Sequence, residues 1–138
     1  MKVGDYDIPD DLKYSEKHQW AKVEGDNIRV GITDFAKKQL KEIVYVGFNV
    51  GVGDTVDAAS DEPIAEIEST KAVGEVFAPV SGEVLEINEA LEDDPDPNLS
   101  DAYGAGWMFL IKPSNKDADL GNLLDAAGYA EIVKKESG

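Results

Sequence analysis

No cysteine occurs anywhere in the 138 residues. That absence excludes disulfides, thiolate nucleophiles and zinc sites of the thiolate kind, and it fits an intracellular protein. Any sulfur chemistry would have to arrive on a cofactor. Histidine is represented by His18 alone, which rules out a histidine metal cluster and gives thin support for a triad-type base. No apolar run approaches the roughly 20 residues of a membrane-spanning helix. The start, Met1-Lys2-Val3-Gly4-Asp5-Tyr6, lacks the apolar core and small-residue cleavage site of a secretory signal. A glycine-rich phosphate loop of the strand-to-helix type is also missing. Basic residues are scarce: 13 Lys and Arg against 29 Asp and Glu give a formal net charge of -16. Such a field repels nucleic acid phosphates and anionic membranes, so neither is expected as a partner. It suits a solvated monomer, or a docking face for basic patches on other proteins.

What is present is a succession of short alternating strands. Trp20-Ala21-Lys22-Val23 and Ile28-Arg29-Val30-Gly31 flank the turn residues Glu24-Gly25-Asp26-Asn27 and predict a hairpin. Thr33 caps a short helix over Asp34 to Lys41, with Asp34 at its positive end. Strands are expected at Ile43 to Phe48, Thr55-Val56 and Gly82 to Ile87. Residues 88–106, with Glu92-Asp93-Asp94-Pro95-Asp96-Pro97 inside, read as an acidic, proline-broken loop leading to a last strand over Trp107 to Ile111. That loop lacks the ligand spacing of a calcium site. From Asp117 the pattern turns helical, with Leu120, Leu123 and Leu124 on one face and Tyr129, Ile132 and Val133 on another after a bend at Gly128. Val52-Gly53-Asp54-Thr55-Val56 and Val80-Ser81-Gly82-Glu83-Val84 echo each other as turn-then-strand units, which suits two similar sheets. The pattern predicts a small barrel or sandwich carrying C-terminal helices. One domain is expected over residues 1–138.

Lys71 stands out because it sits between two alternating runs, Ile64-Ala65-Glu66-Ile67-Glu68 and Val73-Gly74-Glu75-Val76-Phe77. Glu68-Ser69-Thr70-Lys71-Ala72 reads as a tight turn with a lone cation at its tip, where another enzyme can acylate the amine. Small Ser69 and Ala72 leave room for that enzyme. A biotin-bearing module presents its lysine on a comparable hairpin but typically has Met on both sides; here Thr70 and Ala72 flank it. His18 beside Trp20 reads first as a packed, hydrogen-bonded residue. Trp20 and Trp107 read as core.

Several segments together resemble one family. Tyr14-Ser15-Glu16-Lys17-His18-Gln19-Trp20, Gly31-Ile32-Thr33-Asp34-Phe35-Ala36, Glu68-Ser69-Thr70-Lys71-Ala72, Ala78-Pro79-Val80-Ser81-Gly82-Glu83-Val84 and Gly104-Ala105-Gly106-Trp107 occur in the order and spacing of the glycine cleavage system H protein. The resemblance covers about residues 12–133, leaving 1–11 as an N-terminal extension. It implies a barrel-sandwich hybrid of the lipoyl/biotinyl-carrier type, with lipoate attached to Lys71 by a lipoate-attaching enzyme. It further implies a non-catalytic carrier. A pyridoxal-phosphate glycine decarboxylase passes the aminomethyl group of glycine to the lipoyl disulfide, a tetrahydrofolate-dependent aminomethyltransferase removes it, and dihydrolipoamide dehydrogenase reoxidises the dithiol. The setting implied is the cytoplasm, or the mitochondrial matrix of a eukaryote.

In that family the loaded arm rests in a surface cleft, for which His18, Gln19 and Glu75 are the candidates here. Gln19 stands where the family commonly has Glu, and Glu75 where it often has Asp. Val73-Gly74 also replaces a more polar stretch, and the departures at Gln19 and Val73-Gly74 leave open an H-like protein serving lipoyl relay or another lipoate-dependent pathway; the acidic surface alone would suit an unmodified interaction module. A Lys71→Ala substitution separates the carrier from the module. It should change the unfolding free energy by no more than about 0.5 kcal/mol in urea titration while abolishing acyl acceptance.

Overall fold

The computed structural model describes residues 1–137. Two short strands, β1 (Lys2–Val3) and β2 (Tyr6–Asp7), form an N-terminal hairpin, followed by β3 (Lys13–Tyr14), β4 (Gln19–Glu24) and β5 (Asn27–Ile32). Helix α1 (Asp34–Leu40) leads to β6 (Ile43–Phe48), β7 (Thr55–Val56), β8 (Ala65–Ser69), β9 (Val73–Val76) and β10 (Gly82–Ile87). Two short helices, α2 (Ala90–Asp93) and α3 (Pro95–Leu99), precede β11 (Phe109–Pro113), and α4 (Lys116–Gly121) and α5 (Ala126–Ser137) close the chain.

A six-stranded sheet runs in the order β3-β4-β5-β11-β10-β7, and a three-stranded sheet in the order β6-β8-β9. The expected hairpin turns at Gly25-Asp26, since Glu24 pairs with Asn27 and Gly25 has φ +64. Thr33 caps α1, its hydroxyl accepting from the Ala36 N–H at 3.2 Å. Alternation in the strands becomes a core between the sheets: Ile28, Val30, Val46, Ala65, Ile67, Val84, Phe109 and Ile111 are all buried. A second apolar cluster joins Ile8, Leu12, Tyr14, Trp20 and Phe35 to Tyr129, Ala130 and Val133 of α5. Tyr14 and Tyr129 stack there with centroids 4.7 Å apart. Burying one such side chain contributes roughly 1.5–3 kcal/mol, so α5 is held by apolar contact. The N-terminal extension takes part, because Ile8 is buried in that cluster.

Five expectations need correction. The acidic segment is helical, because Leu91 and Leu99 are fully buried anchors and Pro95 occupies the first helical position, where no N–H is needed. The last strand begins at Phe109, two residues later than expected. Trp107 is only half-buried beneath the Arg29 guanidinium, 4.4 Å from its ring, so it roofs the sheet and does not fill the core. The break between the C-terminal helices falls at residues 122–125, where Leu124 pairs with Tyr14 across a β-bridge, and Gly128 lies inside α5. Finally, the two echoing turn-then-strand units do not divide between sheets. They pair as β7 and β10, with Gly82 opposite Val56.

Gly82 is the tightest backbone approach in the six-stranded sheet. With φ +156, a Cβ there would lie 2.1 Å from the Lys112 carbonyl oxygen, which belongs to backbone and cannot swing away. Gly82→Ala should therefore cost about 3 kcal/mol or more, measured by denaturant unfolding against wild type.

Candidate functional site

The hairpin that presents Lys71 is fixed by alternation. Along β8 and β9 the pairs Ile67↔Gly74 and Ala65↔Val76 face inward, where Ile67, Ala65 and Val76 are buried; Glu68↔Val73 and Glu66↔Glu75 face out. A register slip of one residue would exchange these faces. Past the last pair, Ser69 shapes the turn. Its N–H donates to the Ala72 carbonyl at 2.8 Å, and its hydroxyl accepts from the N–H groups of Lys71 (3.1 Å) and Ala72 (2.9 Å). The Thr70 N–H donates to the Glu42 carbonyl at 3.2 Å, tying the tip to the neighbouring strand. Lys71 is exposed and forms no ion pair among the described residues. It also has no positive φ, which non-glycine residues show only at His18 and Lys41. In sequence it is the only lysine or arginine between Lys41 and Lys112. An exposed amine on an unstrained turn fits covalent acylation: nothing has to open before an enzyme reaches it.

Beside the hairpin lies a cleft of about 340 Å³ that brings His18, Gln19 and Glu75 together. Its floor is apolar, from Ile32, Phe35, Leu40, Ile67 and Val76, and two acidic residues, Glu75 of the outward-facing row of β9 and Glu136 of α5, also line it. Glu75 is four residues from Lys71, about 13 Å along an extended strand. Gly74 is needed here because a Cβ would come within 3.1 Å of Leu40, which narrows the same wall. A second cleft of about 390 Å³ lies across the Lys17–Gln19 segment, between the Ala58-Ala59 loop and Leu123-Leu124.

Gln19 is buried, and both ends of its amide are hydrogen-bonded. Nε2 donates to the Lys17 carbonyl at 2.9 Å, and Oε1 accepts from the Ser15 hydroxyl at 2.5 Å. A carboxylate at this position could keep the second bond but not the first, so Gln19 serves the wall it stands in. His18 is held at both ring nitrogens. Nδ1 lies 2.7 Å from the Tyr129 hydroxyl and Nε2 3.1 Å from a Glu136 carboxylate oxygen, while the Tyr129 hydroxyl lies 2.6 Å from Thr33 Oγ1. In neutral His18 one order of donors satisfies every atom: Thr33 O–H to Tyr129, Tyr129 O–H to Nδ1, and Nε2–H to Glu136. The residues that tie α5 to the cleft, Tyr129 and Glu136, lie more than 100 positions from His18; only the helix-face pattern of Tyr129 hinted at its burial. Glu136 carried no sequence signal.

A barrel-sandwich hybrid with an exposed lysine on a clasped β-turn defines a cofactor-carrier protein of the lipoyl/biotinyl type. A family model described as "Glycine cleavage H-protein" matches residues 12–136. A glycine cleavage system H protein from Halalkalibacterium halodurans is 46% identical over 129 residues, 94% of this chain and 98% of that protein. One from Marinobacter nauticus is 49% identical over 131 residues, again 94% and 98%. The crystal structure of a glycine cleavage system H protein from Mycobacterium marinum superposes with a TM-score of 0.78 at 36% identity, over 95% of this chain and all of that one. The chain belongs to the glycine cleavage H-protein family, whose members are lipoate-carrying subunits and not catalysts.

Burial raises the phenol pKa of Tyr14, Tyr103 and Tyr129 well above the ordinary value near 10. A raised folded-state pKa contributes stability that is complete below the unfolded value and is lost as pH rises toward the folded one. Unfolding free energy should thus hold steady up to about pH 10 and fall beyond it. Tyr129→Phe should lessen that fall while costing about 1–3 kcal/mol at neutral pH through the unpaired Thr33 and His18 atoms; urea titrations from pH 7 to 11 measure both.

Proposed function

We propose that Lys71 bears lipoate through an amide on its ε-nitrogen, and that the chain acts as a single carrier domain over residues 1–138. The observation that carries this reading is the exposed Lys71 on the Ser69-clasped turn, in a chain of a lipoate-carrying family. When bound, the group supplies the dithiol and disulfide chemistry that a chain without cysteine lacks. The protein itself holds the attachment point rigid and offers a cleft within the arm's reach. It moves the aminomethyl group of glycine from a pyridoxal-phosphate decarboxylase to a tetrahydrofolate-dependent aminomethyltransferase, and electrons to dihydrolipoamide dehydrogenase. Tethering raises the effective concentration of the group at each enzyme.

Within the cleft, Glu75 supplies the charge that receives a cationic amine over the apolar floor, and Gln19 builds the wall. His18 fixes α5 against that wall through Tyr129 and Glu136. The carrier works as a monomer in the cytoplasm, with neither nucleic acid nor membrane as a partner; no helix among the described residues is long and apolar enough to cross a bilayer.

Reconstitution tests the reading. Fully lipoylated protein mixed with glycine, the decarboxylase, the aminomethyltransferase, tetrahydrofolate, the dehydrogenase and NAD+ should support glycine-dependent NADH formation. Full lipoylation without turnover would instead assign the chain to lipoyl relay or another lipoate-dependent pathway. In the same system Glu75→Gln should speed hydrolytic loss of the carried amine about fivefold, the equivalent of roughly 1 kcal/mol of lost contact. Loss rates equal to wild type in Glu75→Gln would remove Glu75 from the cleft's function.

A further inference from the structure

The outer face of the three-stranded sheet is unusual for so acidic a chain. Tyr45, Glu68 and Val73 stand opposite one another across β6, β8 and β9, and one step along, Gly47, Glu66 and Glu75 form the next row. Tyr45 and Val73 are 52% and 57% exposed. The Tyr45 ring lies flat along the sheet over Gly47, where a Cβ would meet it at 2.9 Å. Val44, 53% exposed, is the extra residue of a β-bulge between Ile43 and Tyr45. Three large apolar side chains therefore share one end of the sheet with Glu66, Glu68 and Glu75, and exposed Glu42 precedes them. Elsewhere large exposed apolar residues are scattered, as at Val23 and Val52. Lys71 supplies the only positive charge along residues 42–111.

Val73 is two residues from Lys71, about 7 Å along the strand, and the row from Tyr45 to Val73 spans roughly 10 Å across three strands. A partner covering about 800 Å² of this protein and centred on the Lys71 amine has reach enough to cover the row. An enzyme acting on the far end of an attached arm has no such need, because the arm's length separates it from the sheet. The face is thus placed for whatever makes the bond at Lys71. We propose that Val44, Tyr45 and Val73, ringed by Glu42, Glu66 and Glu68, form the docking face for the acyl-attaching enzyme, which presents an apolar patch rimmed by Lys and Arg. The inference rests on Lys71 being the acylated residue. In the step itself, the deprotonated Lys71 amine attacks the carbonyl carbon of an acyl adenylate held by the partner. The amide C–N bond forms, the C–O bond to the adenylate breaks, AMP leaves, and the amine's proton passes to solvent. The acidic ring steers the basic mouth to the hairpin, and the apolar centre sets the lifetime of the encounter.

The test measures initial acylation rates by intact mass, using a recombinant lipoate–protein ligase with lipoate and ATP as the probe. The substrates are the wild-type chain, the Tyr45→Ser/Val73→Thr double variant, and a Val23→Ser/Val52→Ser control that removes equally exposed apolar residues elsewhere. Circular dichroism and urea titration establish that each is folded. The double variant should lose about tenfold in kcat/KM with kcat nearly unchanged, and the control should match wild type. Raising the salt from 50 to 500 mM should lower kcat/KM for all three. Equal kcat/KM for double variant and wild type, or an equal loss in the control, would overturn the docking face. Failure of the wild-type chain to be acylated would overturn the assignment of Lys71 and the docking face with it.

Discussion

Everything in this protein depends on the register of one hairpin. Ala65, Ile67 and Val76 point into the core and Glu66, Glu68, Val73 and Glu75 point away, and this alternation leaves four residues to close the loop with Lys71 near its middle. A strand has no intermediate register, so burial of three apolar side chains decides where an amine four to six residues away will stand. Ser69 completes the arrangement, its hydroxyl oxygen accepting from backbone N–H groups that a four-residue turn would otherwise leave to water. The same register sets Gly74 against Leu40 and Glu75 at the cleft. Lys71 and the cleft are therefore positioned by one packing decision.

The acidic residues divide into two kinds. Some are structural fasteners. Asp96 accepts the Ile43 N–H at 2.9 Å and pairs with Lys37 at 3.0 Å, joining α3 to β6 and α1. Those contacts, with the Ile43 hydrogen bond foremost, hold its carboxyl below the usual range. Asp34 accepts the Asp7 N–H, which fastens the N-terminal hairpin, and Asp119 accepts the Ser81 N–H at the turn before β10. Others, such as Glu42 and Glu68, are exposed and accept no bond on their carboxylates among the described residues, and they surround the hairpin with negative charge. A carrier that several enzymes must find in turn benefits from such a field, since it raises encounter rates without lengthening each complex.

Much of this could be read in the residues themselves. The Trp20 to Gly31 hairpin, the Thr33-capped helix and the Lys71 turn rest on local signals, alternation, caps and turn residues, that the tertiary structure reinforces. The helices within residues 88–106 are hidden in the sequence because charge and proline dominate the local pattern, whereas the two buried leucines, Leu91 and Leu99, set the conformation by packing into the core between the sheets. The bend assigned to Gly128 falls at residues 122–125 because Leu124 bonds to Tyr14 across the chain. The cleft was legible at His18, Gln19 and Glu75, but not at Glu136, whose place follows from how α5 docks. Long-range packing with no periodic signature is what sequence patterns miss.

The claim on which the rest stands is the modification of Lys71. Intact mass with peptide mapping, on protein made in a host competent for lipoylation alongside a lipoylated control, tests it directly. A single lipoyl amide on Lys71 is the predicted result. An unmodified Lys71 beside a fully modified control, or the group found on another lysine, would contradict the account.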